Sequence, residues 1–473
     1  MTLTQTHIEN IITAAIDADM RVRGFMLVGD KYVYVRGASD YEPIKDVPAP
    51  GHGDTGEIVI GHEYNYDVAT EVTINPTADV YDPWRERIET AFKGWKGEEL
   101  PKPSDFETLY AQLDKGAAHL AGGGGNSSGS NTAGDVDLAA TVSTIESELA
   151  PYAGATVDAF QKNYVARLAP TFANQSICGS VLAIAAKTEA DVWTKANESI
   201  VSIATESVTA FDESVHGDGG GDVALTVVGI LAAAAGLVVP PAAAASIAVG
   251  STVLGIIKDA KSLIPEQKKT TSLAGSSPDA VYENLVSAID DLSLNISQEE
   301  THTGNMLWQT YTTMIGAERS NYDLSRPTAL YSETDINKLN KTDVDTATLK
   351  TIGNSYMPEV ATALRGAATE LDVGTSGIWN RPVSIGNYYT GPFHEADSLS
   401  NQLIDFLKVT AQECEDSGEI LVIAANNINS TDDTARTALK GHQDDIEAEP
   451  EDYGRPARDG GWYMPNGKYL PPA

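Results

Sequence analysis

Residues 138–211 read LAATVSTIESELAPYAGATVDAFQKNYVARLAPTFANQSICGSVLAIAAKTEADVWTKANESIVSIATESVTAF, and their spacing decides the fold class. Leu138, Val142, Ile145 and Leu149 recur by four, three and four, which puts one apolar stripe on one helix face. Pro151 stops that helix, because proline lacks the N–H that the next turn needs. Val157, Phe160, Tyr164 and Leu168 start a second stripe. Two such helices joined by a few residues predict an antiparallel helical hairpin. A third, longer helix is predicted from about 172 to 211, with Leu182, Ala186, Trp193, Ala196, Ile200 and Ile203 along its face.

Directly after it, residues 223–257 carry no charged side chain. Pro240 and Pro241 cannot sit inside one helix. The run is therefore expected to be a hairpin of two antiparallel helices, 223–239 and 242–257, hinged at that pair. Each arm is roughly 25 Å long as a helix, a little short of a bilayer core of roughly 30 Å. Alanine gains little from lipid, and the small residues Ala232/Gly236 and Ser246/Gly250, four apart, suit close helix contact. The hairpin is read first as the core connector of an elongated bundle, with membrane entry as a conditional second role.

Further out, Ser277 caps a helix with Pro278 in its first turn. Leu285, Ile289, Leu292, Ile296, Leu307, Tyr311 and Met314 extend its stripe over some forty residues. Another helix is expected near 357–371. A last one is expected at about 398–446, on Leu399, Leu403, Phe406, Leu421, Ala425, Ile428, Ala435 and Leu439, with Gly418 as a dividing point. The first 80 residues differ. Ile8, Ile11, Ile12, Ala15 and Ile16 form a helical stripe. GFMLV and KYVYVRG then flank Gly29-Asp30 as a hairpin, and GEIVIG and TEVTINP are strand candidates. Asp82 is expected to cap a helix running from Pro83 to about Phe92.

The fold class is thus mainly α: an elongated helical bundle with a central apolar Pro-Pro hairpin and a small N-terminal α+β module. The expected divisions are 1–80, the module; 81–134, short helices with a linker (GGGGNSSGSNTAG, 122–134); 135–330, the bundle; 331–447, a second helical region; and 448–473, an extended tail whose Trp462, Tyr463 and Tyr469 suit docking.

Acidic residues outnumber basic ones 67 to 32, for a formal net charge of −35. Such a chain repels phosphate backbones, which argues against nucleic acid as a partner. Cys178 and Cys414 fall in predicted helices, where each behaves as a small apolar residue; a bridge between them is the alternative. The N-terminus has neither a basic nor an apolar signal region, so no cleavable Sec-type signal is expected.

Three segments resemble the WXG-type (ESX) helical-hairpin proteins of type VII secretion. Tyr152-Ala-Gly154-Ala155-Thr-Val-Asp-Ala159-Phe160 is similar to that family's turn, with Tyr where Trp is usual. There the aromatic ring plugs the open end of the hairpin and the glycine permits the turn. Trp95-Lys96-Gly97 is a literal W-x-G, and 428–439 resembles the helix end of such proteins. The resemblance covers about 83–260 and 398–447. It implies export without a cleavable signal, protein partners or self-assembly, and a docking signal Y-x-x-x-D/E. Tyr110/Asp114 and Tyr331/Asp335 match that signal.

Motifs for catalysis are missing from the chain: it has no HExxH, GxSxG, CxxC or P-loop. His52, Asp54 and His62 are the one near-cluster with metal-ligand chemistry, and no cofactor is expected. Three functions stay open. The first is a non-enzymatic binding or assembly protein, secreted or at the cell envelope. The second is a structural component of a phage virion or similar particle. The third is an α-helical pore-forming toxin using 223–257.

Overall fold

The computed structural model describes residues 2–34, 46–52, 58–65, 68–97, 99–121, 138–152, 157, 160–215, 224–227, 269–316, 319–324 and 345–427, with three dipeptides at 455–456, 462–463 and 469–470. Several expected features lie outside the described residues: the 122–134 linker, residues 228–268 with Pro240 and Pro241, Asp54, Gly154, Tyr331, Asp335, and residues 428–446.

The chain is mainly helical. α1 (Gln5–Val22) buries Ile8, Ile11, Ile12, Ala15 and Ile16, the residues of its stripe. β1 (Phe25–Val28) and β2 (Lys31–Tyr34) pair antiparallel across Gly29-Asp30, and β2 also pairs with β3 (Val47–Pro48). β4 (Ile58–Asn65) and β5 (Val68–Ile74) make a separate two-stranded ribbon. α2 (Asp82–Ala91) follows, then α3 (Pro103–Leu120) and α4 (Leu138–Leu149). α4 buries the four residues of its predicted stripe.

α5 (Ala166–Glu213) is the 48-residue axis of the molecule, about 72 Å long at 1.5 Å per residue. α3, α1 and α6 (Pro278–Ile315) pack along it. α7 (Thr346–Thr351) and α8 (Met357–Glu370) lead to α9 (Phe393–Asn427), which packs on α8, α6 and α5. One continuous core runs from Leu3 to Ala425. The N-terminal segment joins it through Trp84, whose ring meets Phe211 edge-on at 5.6 Å and whose Nε1 donates to Asp19 at 2.9 Å. The Arg87 guanidinium lies between Trp84 and Tyr282, 4.1 Å from each ring.

Four sequence expectations need correction. The first arm of the apolar hairpin does not start as a helix at Val223. Residues Ala224–Val227 form a strand, β6, paired antiparallel with β7 (Lys269–Ser272). Thr226 and Val227 are β-branched and suit a strand, and pairing overrides helical propensity. Second, the stripe from Phe160 and the helix from 172 are not separate. A π-helical turn, Gln161–Val165, runs straight into α5, and Pro170 sits inside it. Pro170 forgoes one backbone hydrogen bond there, yet the helix continues through it. Third, Asp82 does not cap α2. The chain turns helical earlier, through a π-helical turn at Thr77–Tyr81, and Asn75 Oδ1 and Asp79 Oδ2 accept from the Ala78 and Asn75 amides at 3.2 and 2.7 Å. Fourth, Gly418 does not divide α9; it lies where that helix crosses the turn before α8. Cys178 and Cys414 are both buried and free, so no bridge joins them. Burial pushes each thiol up to about 12.

Tail residues Arg455–Pro456, Trp462–Tyr463 and Tyr469–Leu470 form three short antiparallel strands, β8 to β10, in which Tyr463 stands opposite Tyr469.

Candidate functional site

Polar chemistry is concentrated where the middle of α5 meets the middle of α6. Glu189 and Trp193 lie on α5, Glu299 and Glu300 on α6, and Arg381 on the segment between α8 and α9. The side chains of Arg381 and Glu300 are wholly buried, at 0% exposure each, and form an ion pair. The Trp193 indole donates to Glu189 Oε2 at 3.2 Å and lies 5.3 Å beneath the Arg381 guanidinium. Two buried carboxyls, Glu300 and Glu189, thus act on one buried cation, and Glu299 adds a third buried carboxyl beside Glu189. Glu189 Oε1, Glu299 Oε1 and Arg381 Nε and Nη1 find no hydrogen-bond partner within the protein.

Desolvation penalises buried charge, and it dominates here. It raises the Glu300 carboxyl, with the Glu189 charge adding and Arg381 opposing. It raises Glu189 too, against Arg381 and the Trp193 bond. Glu299 is pushed up to about 7 by burial and by Glu189.

The cluster holds a loop, residues 380–392. Asn387 donates its backbone N–H to Glu300 Oε2 at 2.6 Å, and its carbonyl accepts from Arg381 Nη2 at 3.1 Å. Arg381 N–H donates to the Tyr389 carbonyl at 3.1 Å. Ser293 Oγ bridges the Ser384 carbonyl and the Gly386 N–H, and Asn387 Nδ2 donates to Thr301 Oγ1. Gly386 and Gly391 have positive φ. A Cβ on Gly391 would stand 2.2 Å from Arg381 Nη2, and one on Gly386 would stand 2.6 Å from Glu300 Oε2. Only glycine lets the backbone wrap this closely. Tyr388 is held at φ 57, a strained position for a bulky residue. The same loop exposes Val383, Tyr388 and Tyr389, the first two at 78% and 77%.

Residues predicted from sequence are scattered around this site rather than in it. Trp95 is buried, and Phe160 is buried with its ring stacked on Tyr164 at 5.4 Å. Tyr152 is partly buried, its hydroxyl 3.2 Å from Thr348 Oγ1. At Gly97 a Cβ would press on Thr2 at 3.2 Å. Tyr110 and Asp114 share one face of α3, half-buried, and desolvation raises both; Lys187 of α5 lies near the phenol. That face is packed rather than solvated. His52 is exposed after β3, and His62 stands opposite Glu71 in the β4–β5 ribbon. Among the described residues no group of three or more His, Cys, Asp or Glu is arranged to hold a metal ion.

An open groove of about 500 Å³ along α2 is lined by Asp82, Arg85, Glu86, Glu89, Thr90, Lys93 and Lys96. Arg85 there is engaged by Glu9 at 2.9 Å. The lining mixes both signs of charge and places no nucleophile beside a base. Among the described residues one helix, α5, is long and apolar enough to cross a membrane, but 78% of its apolar window is buried in the protein.

No family model, curated protein or solved structure matches this chain.

Proposed function

We propose that this chain is a non-catalytic helical binding and assembly protein that meets a partner protein through the 380–392 loop. One observation carries the reading. Among the described residues the densest buried polar chemistry is sealed from solvent and is spent on fixing a backbone loop, while the loop's Val383, Tyr388 and Tyr389 remain outside. Sealed carboxyls cannot reach a substrate, whereas rigidly held exposed tyrosines give contact area at low entropic cost. The charge of −35 opposes self-association at low salt and favours a partner with basic residues around an apolar site. A photo-crosslinking amino acid at position 388, in cells that make the protein, should give one discrete adduct that Val383→Ser with Tyr389→Ser abolishes. Adducts that survive those changes, or none at all, would overturn the reading.

Export in the manner of type VII substrates is a reading that the buried Phe160 and the partly buried Tyr152, on either side of the α4–α5 connection, support. Replacing Tyr110 and Asp114 with alanine in an exporting host tests it; unchanged export would count against it.

Membrane entry through 223–257 is a second reading, favoured by the β6–β7 ribbon, which pairs the first residues of that apolar run with Lys269–Ser272, twelve residues beyond its last. Dye release from liposomes at neutral and acid pH tests it, and no leakage at micromolar protein would overturn it.

A further inference from the structure

We propose that Glu189, Glu299, Glu300 and Arg381 form a proton-operated latch: the 380–392 loop stays docked while the carboxyls share protons and lets go when they lose them to solvent. The inference does not depend on what the loop binds. It stands on a count and a geometry. Three buried carboxyls from two helices share one guanidinium: Glu300 pairs with Arg381, Glu189 feels its charge, and Glu299 lies within reach of the Glu189 charge. If all ionised, they would leave two uncompensated negative charges, and each buried unpaired charge costs several kcal/mol. Burial accordingly raises all three carboxyls, Glu299 to about 7.

Titratable groups also stand on the elements packed around the cluster, His302 among them, three residues beyond Glu299 on α6. On α5, Lys187 turns instead to Glu107 and Asp191 at 2.9 and 3.0 Å. On α9, His394 stands in the first turn, and Glu395 adds a further carboxyl beside Gly304, one turn along α6 from Glu300. The loop itself brings only Arg381 to the site.

Relief is cheapest at the loop. α5 and α6 are held by long apolar stripes. The loop is held by polar bonds, two of them to Glu300 itself, and by one fully buried aliphatic side chain, Ile385, and it carries the strained Tyr388. Segments with few apolar contacts open first. Swinging out takes Arg381 and the Asn387 amide to water and admits water to the carboxylates.

Hydrogen exchange of the full chain at pH 5.5, 7 and 8.5, corrected for intrinsic rates, tests the latch. Protection at Gly386 and Asn387 should fall by about tenfold for each pH unit above 7, as expected for one linked proton. Peptides from 177–200 of α5 should hold their protection. Glu189→Gln with Glu299→Gln should flatten the response, and Glu395→Gln should leave it. Protection that ignores pH, a slope that survives in the double variant, or α5 opening in step with the loop would each overturn the proposal. If the double variant does not fold, carboxyl carbon NMR of the wild-type chain decides: a buried glutamate titrating at 7 or above supports the latch, and none above pH 6 overturns it.

Discussion

Arg381 is one residue answering three acids, so its removal should be felt more than that of any other surface or core cation. Arg381→Ala leaves Glu300 and Glu189 without a counter-charge, beside a third buried carboxyl at Glu299; breaking a buried pair this way costs about 3–5 kcal/mol. Urea unfolding at pH 7 should show that loss, and the loss should shrink in acid as the carboxyls take up protons. Glu299 supplies a second prediction. Its carboxyl moves from an ordinary 4.5 up to about 7 on folding, so the neutral form is the one the fold favours. The stabilising contribution is complete below about 4.5 and is lost as pH rises through 7. Glu299→Gln should therefore flatten the wild-type fall in urea midpoint between pH 5.5 and 8.5. The cluster was legible in the sequence only as a break in phase. Glu189 sits three after Ala186 and four before Trp193, and Glu300 sits four after Ile296, each on a stripe that is otherwise apolar. Nothing local says that 67 acidic residues include these three as a group, or that Arg381, 81 or more positions away, comes to meet them.

Helices were the most legible level, because a stripe repeated every 3.6 residues leaves few alternatives. α4 and α6 bury the residues the spacing selects, and Ser277 caps α6 with its Oγ accepting from the Ala280 amide at 3.2 Å. Ends and joints were harder. Gly418 reads as a dividing point, yet it lies within a continuous helix, as Pro170 does, because neighbours decide whether a glycine or proline is tolerated. Gly418 is needed for proximity. A Cβ there would come within 2.7 Å of the Gly353 carbonyl oxygen, and one on Gly353 within 2.4 Å of the Gly418 oxygen. Gly418→Ala should push α9 off the turn ahead of α8 and destabilise by about 1–3 kcal/mol, read from thermal or urea melts. An unchanged melt would mean that the crossing is looser than its distances show.

At the scale of the molecule, the net charge of −35 is spread over one continuous core. Mutual repulsion should make the fold salt-dependent, with the melting temperature rising between 10 mM and 0.5 M sodium chloride as the charges are screened. Scanning calorimetry over that range checks it, and a flat response would show that the surface charges are already balanced locally. The β6–β7 ribbon was invisible in the sequence, since Ala224–Val227 belongs to an apolar run with no charge or turn to mark where pairing begins. Its geometry makes the 41 residues from 228 to 268 a cassette. Val227 and Lys269 stand opposite one another, a gap that a two-residue Asn-Gly turn can close. Excision and closure at that point should leave the helical circular dichroism and melting of the remaining chain intact. By the same geometry, the two strands would stay in register whatever the length of chain that joins them.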